Sequence, residues 1–69
     1  MSDKAYITPK VLQWARESAR MSLEIAAAKV SIAPEKLNEW EDGSGQPTIK
    51  QAETLAKAYK RPFAVFFLP

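Results

Sequence analysis

Glu35, Glu39, Glu41 and Asp42 place four carboxylates within eight residues, the densest run of titratable groups in the chain. Paired carboxylates serve general acid–base work or metal binding when they converge from different directions. Here one helical segment supplies all of them and nothing else approaches, so a solvated acidic face is the plainer reading. The remaining repertoire is narrow. The 69 residues contain no cysteine and no histidine. Disulfides, thiolate or imidazole metal sites, a cysteine nucleophile and a Ser–His–Asp triad are thereby excluded. The expectation is a protein without catalysis, metal or cofactor. What remains is chemistry of recognition, carried by hydroxyls, amides and cations.

Charge is distributed unevenly around a net +2. Residues 1–30 are basic on balance. Residues 31–48 set Lys36 against the four carboxylates. Residues 49–69 set Lys50, Lys57, Lys60 and Arg61 against Glu53. The balance is only mildly basic, and an acidic middle lies between two basic flanks. The apolar share, 46%, suffices for one small core. No run of 18 apolar residues suggests a membrane span, and the charged first 20 residues do not read as a secretion signal. Lack of cysteine fits a reducing, cytoplasmic setting.

The elements that must position these groups read as helices throughout; no stretch alternates long enough for a strand. Residues 1–7 read as a flexible arm and residues 8–69 as the folded domain. Thr8-Pro9 reads as N-cap and first helical residue of a helix running to about Ala19 or Arg20. Ser22 caps a second, ending near Lys29 or Val30. Pro34 opens a third, with Glu35 in its first turn, and Gly43 stops it as a left-handed residue. Residues 43–47 form a loop. Thr48 and Gln51 form a capping box for a fourth helix with Ile49, Ala52, Leu55, Ala56 and Tyr59 as its buried stripe. Arg61-Pro62 breaks that helix, and PFAVFFLP makes a final apolar turn.

Two short helices joined by three residues are a helix-turn-helix candidate. Over Leu23 to Asp42, the fifth position must be small for the helices to cross, and it is Ala27. Ala26, Val30, Ile32, Leu37 and Trp40 supply the apolar contacts. The ninth position favours a left-handed glycine and is Ser31, at a cost of about 1 kcal/mol. The expected core is Leu12, Ala15, Ala27, Val30, Ile32, Leu37, Trp40, Ile49, Ala52, Leu55, Ala56 and Phe63.

The stretches ARESARMSLEIAAAKVSIAPEKLNEWEDG and PTIKQAETLAKAYK resemble the Xre family, the phage-repressor-like helix-turn-helix domains. PKVLQWARE at 9–17, LNEWEDG at 37–43, QPT at 46–48 and YKRPFAVFFLP at 59–69 are similar to the N-terminal domain of proteins that continue into an ImmA/IrrE-type zinc metallopeptidase. The resemblance implies an all-α, four-to-five-helix, lambda-repressor-like fold, and peptidase activity only in residues beyond this chain. It also implies a pairing of Arg16 with Glu41. Base reading would fall to Ala33, Pro34, Glu35, Lys36, Asn38 and Glu39, and phosphate contacts to Arg16, Arg20, Ser22, Ser44, Gln46, Thr48 and Lys50. The reading set is acidic, and only Asn38 and Lys36 suit base edges comfortably. Leu23 stands where the family usually places a polar residue.

Two functional classes therefore compete. One is a sequence-specific regulator with the helix from Pro34 in the major groove of double-stranded DNA. The other is a protein-interaction or dimerisation module with the same fold and weak or lost DNA binding. Trp14 is expected at the surface and Trp40 in the core. Lys57, Lys60 and Arg61 read as complements to a helix dipole rather than a second phosphate patch. Phe63 with Phe66 or Phe67 should fill the core. The remaining apolar groups among Val65, Phe66, Phe67 and Leu68 are expected to face a second copy or an appended C-terminal domain.

Overall fold

The computed structural model describes residues 4–68. Its order is α1 (Pro9–Ser18), α2 (Leu23–Lys29), α3 (Pro34–Asp42), α4 (Ile49–Tyr59) and a 3-10 turn over Phe63–Phe67. The fold is all-α, as the periodicity predicts. Proline stands at the first position of α1 and of α3, where its missing N–H costs nothing. Ser22 accepts from the Ile25 amide at 3.1 Å to start α2. At α4, Thr48 Oγ1 accepts from Gln51 N–H at 3.1 Å and Gln51 Oε1 accepts from Thr48 N–H at 2.9 Å, which completes the expected capping box.

Helix endings share one device. Arg20, Ser31 and Lys60 adopt φ of 59°, 58° and 57°. The residue after each donates its N–H five residues back: Met21 to Arg16 at 3.2 Å, Ile32 to Ala27 at 3.1 Å and Arg61 to Ala56 at 2.9 Å. This is a left-handed cap built three times without glycine. Ser31 was expected in that conformation; Arg20 and Lys60 were not. Only α3 ends on glycine, Gly43 at φ 88°.

Leu12, Ala15, Ala26, Ala27, Leu37, Trp40, Ala52, Leu55, Ala56, Tyr59 and Phe66 are buried together. On α4 they fall at i, i+3, i+4 and i+7 from Ala52, the stripe of one helix face. Small residues of α2 let that helix approach α3 closely. Val30, Ile32 and Phe63 are only partly buried against this core. Ile49, expected inside, is 39% exposed; it is the first residue of α4, and the stripe begins at Ala52.

Within the described residues the expected arm is not free. The apolar Ala5 and Ile7 are buried, while Tyr6 between them is 75% exposed. That period-two alternation marks an extended segment lying on the core. Ala5 N–H donates to the Pro47 carbonyl at 2.9 Å, and Lys4 bridges Thr48 in antiparallel fashion. The part of the arm at residues 1–3 and Pro69 lie outside the described residues. Thr8 differs too. Its hydroxyl makes no cap on α1 but donates to the Leu68 carbonyl, and its N–H donates to the Phe66 carbonyl at 2.7 Å. The start of α1 is thus tied to the end of the chain. Ala19 is the C-cap of α1, so that helix ends at Ser18, a residue or two earlier than its periodicity suggests.

Candidate nucleic-acid interface

Pattern and packing agree on which face of α3 is free. Leu37, Trp40 and Glu41 are buried, whereas Glu35, Lys36, Asn38 and Glu39 are exposed. The inward residues recur three and four apart and fix the helix's rotation, so the outward set is decided by the same pattern. Glu35, Lys36, Asn38 and Glu39 therefore lie on the solvent side of α3, with Ala33 exposed and Pro34 half-buried at its start.

The orientation of α3 is held from behind. Arg16 Nε donates to Glu41 Oε2 at 2.7 Å and Arg16 Nη2 donates to Glu41 Oε1 at 3.1 Å, a bidentate pair between α1 and the last turn of α3. The side chains are only 12% and 6% exposed. Arg16 Nη1 also donates to the Met21 carbonyl at 2.9 Å. Hydrogen bonding to Glu41 raises the Arg16 pKa above its usual value. With three donors engaged and little surface left, Arg16 is not available for phosphate. The pairing expected for it displaces the contact also expected for it.

The other phosphate candidates divide by exposure. Arg20 and Lys50 are exposed cations, and Ser22 and Ser44 are exposed hydroxyls. Ser44 is partly committed, because its hydroxyl donates to Asp42 Oδ1 at 2.6 Å and its N–H donates to the same atom at 2.8 Å. These bonds hold the Asp42 carboxyl below its ordinary pKa, so that charge persists in mild acid. Thr48 and Gln46 are half-buried, and Thr48 serves the α4 cap. Gln46 Oε1 is buried with no hydrogen-bond partner among the described residues.

An open cleft of about 400 Å³ lies between the starts of α2 and α3, lined by Leu23, Glu24, Pro34, Glu35 and Asn38. Leu23 and Glu24 were not among the candidate site residues. The signal available was the unusual apolar residue at the first position of α2. Arg61 lies elsewhere: its guanidinium is 4.8 Å from the centre of the Trp14 ring and donates to Ser18 Oγ at 3.1 Å. Trp14 is 49% exposed and Trp40 is buried, as expected.

At the chain's end Phe66 is fully buried, which removes it from the proposed contact surface. It packs edge-on against Tyr59 and Phe63 at 6.5 Å each. Phe67 and Leu68 are 45% and 54% exposed, and Val65 is half-buried.

Residues 12–66 match the helix-turn-helix family model HTH_3. The chain belongs to the HTH_3 helix-turn-helix family. Its α2 and α3 are the two helices of the motif, and Ser31 sits in the turn between them. Among solved structures, an HTH_3 family transcriptional regulator from Vibrio cholerae is 27% identical with a TM-score of 0.74, over 86% of this chain and 33% of that one. The structure of apo-HppE is 24% identical with a TM-score of 0.79, over 88% of this chain and 34% of that one; that likeness shows the fold alone. The chain thus spans about a third of the length of each. No curated protein matches it. Among the described residues no helix is long and apolar enough to cross a membrane.

Proposed function

We propose that this helix-turn-helix domain is a sequence-specific DNA-binding module of a transcriptional regulator, with α3 lying in the major groove. The observation that carries the reading is the free outer face of α3, with Glu35, Lys36, Asn38 and Glu39 exposed on a helix whose back is fixed by Leu37, Trp40 and Glu41. Family membership and the Vibrio cholerae regulator support it. Pro34, Glu35, Lys36, Asn38 and Glu39 read bases in this proposal. Arg20, Ser22, Ser44, Gln46, Thr48 and Lys50 hold phosphates and set register. Val65, Phe67 and Leu68 form a contact with a second copy or an appended domain, since one helix-turn-helix module buries little DNA surface. The work is done in the cytoplasm without cofactor or catalysis. An ImmA/IrrE-type peptidase continuing from this domain, as the tail motif implies, would supply the sensing step; the full reading frame of the gene tests that part.

A salt titration of duplex binding tests the central reading. DNA recognition requires affinity that falls steeply with salt, with a slope near 0.9 per phosphate contacted in the log–log plot. Absence of binding to genomic fragments at low salt overturns it. The second reading, a protein-interaction module with the same fold, draws on the acidic face of α3, where the exposed Glu35 and Glu39 carboxylates repel phosphates, and on Leu23, whose side chain cannot hydrogen-bond; it is the reading such a result would favour.

A further inference from the structure

We propose that the cleft between α2 and α3 reads the C5-methyl group of a thymine, with Leu23 and the Pro34 ring as its apolar wall. This rests on the DNA-binding reading above and assigns a specificity to it. Leu23 occupies the first position of α2 and packs partly against the core, so its side chain is held rather than waving in solvent. Pro34 is the first residue of α3 and adds a rigid ring beside it. Neither can donate or accept a hydrogen bond from the side chain. On the major-groove edge, the feature that an apolar surface recognises is the thymine methyl.

The polar groups around that wall narrow the choice further. Asn38 lines the same cleft and has the donor–acceptor pair that matches adenine N6 and N7. Glu24 and Glu35 can only accept when ionised. They face the amino groups of adenine or cytosine favourably, and the O6 and N7 acceptors of guanine unfavourably. The cleft therefore favours A·T pairs at its centre, tolerates cytosine beside its carboxylates and rejects guanine there.

The test uses the 69-residue chain and a randomised duplex pool. Sequences retained by the wild-type protein at low salt are recovered, and each thymine of the selected duplex is replaced singly by deoxyuridine, which removes only the methyl. The expected result is one or two positions per half-site at which the wild type binds about three- to fivefold more weakly, the scale of one buried methyl group. Leu23→Ala should lose that sensitivity while keeping the wild-type salt slope, and Leu23→Met should retain it. Thermal unfolding by circular dichroism verifies that each variant is folded. The deoxyuridine scan on the wild type needs no variant at all. Steep salt dependence with indifference to every deoxyuridine overturns the methyl reading and leaves DNA binding standing. Absence of duplex retention at low salt overturns the DNA-binding reading itself, and retention without enrichment overturns its sequence specificity and the methyl reading with it.

Discussion

Arg16 and Glu41 join α1 to the end of α3 across 25 residues of chain through two parallel hydrogen bonds of 2.7 and 3.1 Å. The pair ties the last turn of α3, one residue after the core residue Trp40, back to α1. Both charges are largely out of solvent, so each is tolerable only in the presence of the other. Arg16→Met leaves the Glu41 carboxylate without its partner and the Met21 carbonyl without a donor. The expected loss is about 3 kcal/mol of stability. The double variant Arg16→Met/Glu41→Leu should recover most of that loss. Urea unfolding of the two single variants and the double variant reads the coupling directly.

Tyr59 offers a pH-dependent test. Its hydroxyl is buried with no hydrogen-bond partner among the described residues, and burial pushes its pKa well above the ordinary tyrosine value near 10. A folded-state pKa above the unfolded value means that the unfolded chain loses the proton first as pH rises. Stability is therefore full below pH 10 and declines above it. Tyr59→Phe removes that decline. At neutral pH it should be neutral or stabilising by about 1 kcal/mol, since the unpaired hydroxyl is removed with the ring kept. Unfolding midpoints measured at pH 7 and pH 11 give both numbers.

The turn of the motif carries left-handed backbone at Ser31, φ 58°. Ser31→Gly relieves the Cβ strain and adds unfolded-state freedom that opposes the gain. The net expectation is a stabilisation of about 0.5–1 kcal/mol. Ser31→Val should destabilise instead, as β-branching is least compatible with this region. Midpoints of denaturant unfolding for the two variants should move in opposite directions.

The two phenylalanines at the end of the chain should separate stability from association. Phe66→Ala empties a fully buried position beside Tyr59 and Phe63 and should cost about 3–5 kcal/mol. Phe67→Ala removes a half-exposed ring and should leave unfolding changed by less than about 1 kcal/mol while weakening self-association. Sedimentation equilibrium beside thermal unfolding distinguishes the two effects. A monomeric wild type at high protein concentration would place the role of this surface with an appended domain.

On DNA, Lys50 and Asn38 should behave differently. Lys50 is an exposed cation in the first turn of α4, and Lys50→Ala should weaken binding uniformly across sequences and lower the salt slope by about one. Asn38→Ala should relax preference at one base pair by about 1–3 kcal/mol with the slope retained. Competition titrations over a salt series separate a positioning contact from a reading contact.

Sequence by itself determined where each helix begins and, to within a residue or two, where it ends. Pro9 and Pro34, the Ser22 cap, the Thr48–Gln51 box, Gly43 and Pro62 are local signals whose physics involves only neighbours in the chain. The inward faces of α3 and α4 followed from the same short spacings, and with them the outward set Glu35, Lys36, Asn38 and Glu39. Ala5 and Ile7 also alternated with exposed neighbours, a signal too short to stand without its partner. Tertiary structure alone decided what lay against each surface. It laid the N-terminal segment along Pro47 and Thr48, turned the Thr8 hydroxyl to Leu68, chose Phe66 over Phe67 for the core and left Ile49 outside. It also consumed Arg16 in a pair with Glu41. Burial and pairing depend on residues tens of positions away, so no local pattern contains them; side chains of equal apolarity or charge are told apart only by which of them the folded chain encloses.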